Sequence, residues 1–158
     1  MKTSIKIGMG FGLTSGIITT LGLIIGLYSS TKSLLAIIGG IVIIAVTDSL
    51  SDGFGMHVAE EAERKVSQRR IWEATFSTSL FKFFVSLSFI VPFLILELSN
   101  AVVLCAVWGL VLITGFSFYI ARKKDGPCYK TVGEHLIVTV IVIAITYYLG
   151  ELVRVYFS

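Results

Sequence analysis

The sequence predicts an all-α integral membrane protein: one domain over residues 1–158, five transmembrane helices, N-terminus in the cytoplasm and C-terminus outside. Three observations carry this. Of the 158 residues 55% are hydrophobic and only 15% are charged, with a mean hydropathy of +0.90, whereas soluble domains have about a quarter of their residues charged. The charges are clustered, and between the clusters lie apolar segments of the about 20 residues that a helix needs to cross a bilayer. The third observation is where the basic residues fall. Lys2 and Lys6 flank the first segment, Arg64, Lys65, Arg69 and Arg70 follow the second, and Arg122, Lys123, Lys124 and Lys130 follow the fourth, ten of the 13 lysines and arginines. With five spans these regions share one side, and an excess of Lys and Arg marks the cytoplasmic side. The other side holds only Lys32 and Arg154, and Lys82 lies inside the third span.

The first span, residues 5–28, begins close to Met1 and is too long for a signal-peptide core. No small-residue cleavage site follows it, so it is expected to be retained. In "IGMGFGLTSGIITTLGLIIGL" the residues Gly8, Gly12, Ser15, Thr19, Gly22 and Gly26 step by 4, 3, 4, 3 and 4. On a helix they fall within about 80° of one another. Such a stripe lets a second helix approach closely. It serves ordinary packing within one subunit, self-association or one wall of a pathway, and as a self-association seam it predicts a homodimer.

The second span, residues 34–58, ends in "VTDSLSDGFGMHVAE". Asp48 and Asp52 are therefore attached to a run apolar enough for a membrane, where an ionisable residue costs roughly 2.5–3.5 kcal/mol on insertion scales and must face protein or water. Taking Asp48 as the reference direction, Ser51, Asp52 and Gly55 lie within about 60° and Met56 and Glu63 within about 80°. His57 and Glu61 point the other way, so "HVAEE" is not a metal cluster. The candidate metal ligands are Asp48, Asp52, Met56 and Glu63, with Ser15 of the first span at similar depth. Carboxylates suit hard and borderline divalent cations, and a thioether favours softer transition metals.

The third span, residues 76–96, follows a connection "AEEAERKVSQRRIWEAT" and has one polar face, Thr75, Ser79, Lys82 and Ser86. Lys82 lies about 12 Å from the start of its helix, level with Asp52. The expectation is a Lys82–Asp52 pair that leaves Asp48 as the uncompensated charge. The fourth span, residues 101–121, is reached through "ELSN", read as a tight turn like "YSSTKS" between the first two spans. The fifth, residues 132–153, follows "RKKDGPCYK". Cys105 lies in a span and Cys128 in a basic connection, so two free thiols are expected.

In its motifs the chain resembles the vacuolar iron transporter family. "GLTSGIITTLGLIIGL" is similar to that family's Thr- and Gly-rich first span, and "GGIVIIAVTDSLSDGFGMHVAEEAE" to its small-residue-rich second helix, which runs on into an acidic cytoplasmic segment. The layout of five spans is similar too, and the local motifs fall within the first 65 residues. Membership implies a homodimer whose first two helices line a path for ferrous iron or manganese, exchanged for protons. Ser15 stands where the family has an aspartate, Ser51 near its methionine and Ile43 near its acidic position. The family's cytoplasmic metal-binding domain is reduced to the short connection after the second span.

Enzyme chemistry is not expected. Asp48 and Asp52 project from one wall about 5–6 Å apart, so no substrate lies between them as in an aspartyl protease. His135 stands beside Glu134, and adjacent residues diverge on a helix. The expected function is proton-coupled transport of a divalent cation, iron or manganese, along a path lined by the first two spans at a dimer interface. Two crowded carboxylates out of water repel one another when both are charged, which suits exchange of metal for protons. The metal is cargo, with no tightly bound cofactor. Expected partners are the lipid bilayer and a second copy, not nucleic acid, in the cell membrane of a prokaryote. The alternative is a non-transporting assembly protein that associates through its glycine-rich first helix.

Overall fold

A computed structural model describes residues 2–63, 66–122 and 127–157. Six helices follow in order: α1 (Thr3–Thr31), α2 (Leu34–Ala62), α3 (Gln68–Ser88), α4 (Val91–Ile95), α5 (Leu98–Ala121) and α6 (Cys128–Phe157). No strand occurs among the described residues. With α3 and α4 counted together, five helical segments are long and apolar enough to cross a membrane. This is compatible with a multi-pass membrane protein in contact with a lipid bilayer.

The breaks between helices have local causes. α1 stops where Lys32 adopts the left-handed conformation at φ 51°, with its backbone N–H donating to the Tyr28 carbonyl and its ammonium 3.8 Å from the Tyr28 ring centroid. Two residues later α2 starts, capped by the Ser33 hydroxyl, which accepts from the Ala36 N–H. Ser67 caps α3 in the same way through the Arg70 N–H. A hydroxyl at this position satisfies one of the donors that a helix start leaves unpaired.

Helix bounds differ from expectation where polar residues prolong a helix. The connection after the second span is mostly helical: α2 runs to Ala62 and α3 starts at Gln68. The third span is not one continuous helix over residues 76–96. α3 ends at Ser88 and α4 resumes at Val91, with Pro92 in its first turn. Proline has no N–H to give the carbonyl four residues back, and its ring crowds that carbonyl, so the helix breaks there. The "ELSN" turn shrinks as well, since α5 already begins at Leu98. Of the basic residues used for orientation, Arg64, Lys65, Lys123 and Lys124 lie outside the described residues.

α1 is the hub, packed against α3, α6, α2 and α5, while α2 packs on α1 and α3. The core is aliphatic: Ile17, Leu21 and Ile24 of α1 meet Ile37 and Ile41 of α2, Phe89 after α3, and Cys105 and Ile113 of α5. α6 buries only Thr139 and Gly150 and carries Ile137, Ile141, Ile145, Leu149 and Leu152 outward. An apolar surface of this extent marks contact with hydrocarbon or another chain.

The stripe on α1 is filled within the subunit. A Cβ on Gly8 would collide with the Ala74 carbonyl and the Ser77 hydroxyl, and one on Gly12 with the Thr78 carbonyl, all on α3. One on Gly22 would lie 3.2 Å from Val142 Cγ1 and 3.3 Å from Thr146 Cγ2, and one on Gly26 3.6 Å from the Thr146 carbonyl, both on α6. The glycines thus seat α3 and α6 on two parts of α1, and the self-association seam is corrected to in-subunit packing. Ser15 and Thr19, between these contacts, are half-buried and exposed respectively.

Candidate functional site

Three helices bring their polar residues together at mid-length. Asp48 is at the middle of the 29-residue α2, and Lys82 is midway along the Gln68–Ile95 segment. α2 can lie close to α3 because Gly53 has no side chain: the Ser79 hydroxyl occupies the place of its Cβ. α1 lies close because Gly16 leaves room for the Lys82 stem, whose Cγ would be 3.1 Å from an added Cβ. Lys82 therefore threads between α1 and α2 with only 1% of its side chain exposed.

Its ammonium has three donors and meets three acceptors. Nζ lies 2.5 Å from Asp48 Oδ2, pairs with Asp52 Oδ2 and donates to Ser15 Oγ at 2.9 Å. Ser15 in turn donates to Asp52 Oδ2 at 2.6 Å. So the expected Lys82–Asp52 contact is present, and the expectation that Asp48 stands uncompensated is corrected: the ammonium bridges both carboxylates. Two carboxylates and one ammonium leave one net negative charge.

The carboxylates are not sealed in. Asp48 is 31% and Asp52 22% exposed, and Thr19, Thr47, Ser51 and Gly55 nearby on α1 and α2 are exposed. Neither Oδ1 atom takes a hydrogen bond from a described residue. The outcome is a buried ammonium paired with two partly exposed carboxylates of α2, with Ser15 of α1 bonded to both Lys82 and Asp52.

The other proposed ligands do not join them. Met56 is half-buried one turn beyond Asp52. Glu63 lies past the end of α2, 65% exposed, with its carboxylate 3.8 Å from Arg70. Among the described residues no group of three or more His, Cys, Asp or Glu side chains gathers for a metal. The donors at mid-bundle are two carboxylates and a hydroxyl, so a bound cation would keep some of its water.

The rest of the α3 polar face is also engaged. Thr75 Oγ1 lies 3.2 Å from His57 Nδ1, whose ring packs edge-on against Trp72 at 4.7 Å. Ser86 accepts from Thr20 at 3.0 Å. At the N-terminal end of the bundle Glu73 holds Lys2, Ser4 and Arg69, and the buried Glu60 holds Arg70 at 3.2 Å. One contact had no signal in the sequence: His135 Nδ1 lies 2.7 Å from Ser117 Oγ, which itself donates to the Ile113 carbonyl at 2.5 Å.

The chain matches no protein-family model and no curated protein.

Proposed function

We propose that the protein carries a divalent cation, iron or manganese, across the membrane in exchange for protons, along a path lined by α1 and α2 at a dimer interface. The N-terminus would lie in the cytoplasm and the C-terminus outside, in a prokaryotic cell membrane. One observation carries the reading: at the middle of a helix long and apolar enough to span a bilayer, two carboxylates are 31% and 22% exposed. Facing lipid, that exposure is costly; facing water or a cation, it is not. Asp48, Asp52 and Ser15 supply oxygen ligands, with Met56 one turn further along α2 and Glu63 just past its C-terminal end.

A second copy placed over these carboxylates would shield them from lipid and leave a path between subunits. Two subunits then contribute two net negative charges, which balance one divalent cation. The resemblance to the vacuolar iron transporter family points the same way. In the alternative, a non-transporting assembly protein, association would use a surface other than Gly8, Gly12, Gly22 and Gly26, which pack on α3 and α6.

The deciding experiment is flux of manganese or ferrous iron into proteoliposomes with an imposed proton gradient. Asp48→Asn keeps the volume and removes the charge, and is expected to abolish flux while the protein remains folded. Full flux in a folded Asp48→Asn variant would end the proposed path.

A further inference from the structure

We propose that Lys82 sets the affinity of the cation path: its fixed ammonium weakens the site so that a divalent ion can leave as well as enter. This rests on the transport reading and adds a role for a residue that does not itself bind the cation. Three observations carry it. Lys82 is 1% exposed, whereas its partners Asp48 and Asp52 are 31% and 22% exposed. Its ammonium donates to Asp52 and Ser15 and is ion-paired with Asp48, and its stem lies against Gly16 of α1. The buried ammonium is thus held in place by three side chains on two helices.

The consequence is electrostatic. A cation on the outer carboxylate oxygens faces one net negative charge instead of two, and it feels the ammonium across the width of a carboxylate. At an effective dielectric of about 20, repulsion over that distance exceeds about ten-fold in binding, and doubles in free energy from a monovalent to a divalent ion. A transport site needs this moderation, since conduction requires binding favourable enough for entry and weak enough for exit. Two bare aspartates would act as a trap.

The test measures manganese binding to purified protein by calorimetry beside maximal manganese flux in proteoliposomes. Lys82→Met retains the stem and removes the charge. It is expected to bind manganese at least about ten-fold tighter while maximal flux at saturating manganese falls, a pairing that loss of structure alone would not give. Because Lys82→Met leaves two unpaired carboxylates and is liable to misfold, the same comparison is made between Asp52→Asn and Lys82→Met/Asp52→Asn. There too the lysine-free protein should bind at least about ten-fold tighter. Equal affinity in either pair, with the parent protein binding manganese, overturns the role of Lys82 and leaves the transport reading standing. If wild type and every variant neither bind nor carry manganese or ferrous iron, the transport reading falls and this inference falls with it.

Discussion

At the residue scale, the question is what a single buried ammonium is worth to the fold. Lys82 has no exposure to water and no acceptors besides Asp48, Asp52 and Ser15. Burying it would be prohibitive without them, and the balance between desolvation and pairing in such clusters is close. Breaking the cluster from one side is another matter, because a charge is left without its partner. Lys82→Met is therefore expected to lower stability by about 3–5 kcal/mol. Lys82→Met/Asp52→Asn, which removes one charge of each sign, should cost clearly less than the two single changes added together. A double-mutant cycle from thermal unfolding in detergent measures this coupling, and additive effects would show that Lys82 and Asp52 do not depend on each other. Depth along a straight helix was enough to match Lys82 to Asp52. It missed Asp48 because the tip of a lysine reaches between two rungs of a facing helix, and one rise of about 6 Å separates them. Ser15 as third acceptor was equally hidden, since its bond depends on how closely α1 approaches α3.

At the scale of the element, spacing revealed the stripe on α1 but not what fills it. Small residues every three or four positions say that something comes close; whether it is a copy or a neighbouring helix is decided by topology. The structure divides the stripe by partner and by tightness. Gly12 has the Thr78 carbonyl of α3 where a Cβ would stand, and backbone cannot move aside without shifting the helix. Gly26 has 3.6 Å to the Thr146 carbonyl of α6, an ordinary contact. Gly12→Ala is thus expected to cost about 1–3 kcal/mol as an overpacked core site, while Gly26→Ala should be near neutral. Thermal unfolding of the two variants checks the contrast, and equal loss in both would mean that α1 does not pack as described. The α3–α4 break belongs to the same scale. Pro92 was visible in the sequence, but the apolar run continued through it, and hydropathy does not register a missing N–H. The extended end of α2 and start of α3 escaped for the opposite reason: these turns are polar, so they carry no apolar signal while remaining helical, with Ser67 capping α3 and Arg70 paired with Glu60.

At the scale of the whole molecule, the number of spans was legible because each needs an unbroken apolar run, while orientation has to be read from charge. The N-terminal end of the bundle gathers Lys2, Arg69 and Arg70 with Lys6, and three of these are tied to carboxylates: Lys2 and Arg69 to Glu73, Arg70 to Glu60 and Glu63. The local net charge is therefore smaller than the count of basic residues suggests. Topology follows the basic residues near the ends of the spans, however, and acidic residues contribute little. The ion pairs form once the helices have packed, so they do not weaken the signal that inserts them. The N-terminal end should consequently face the cytoplasm. The two cysteines report on this without any substitution, because Cys105 is buried at the packed face of α5 and Cys128 is partly open at the start of α6, on the N-terminal end. A membrane-impermeant maleimide is expected to label Cys128 in inside-out vesicles and to leave right-side-out vesicles unlabelled, with Cys105 protected in both. Labelling of Cys128 from the outside would reverse the orientation, and with it the side of the membrane toward which the residues from Asp48 to Met56 and Glu63 run.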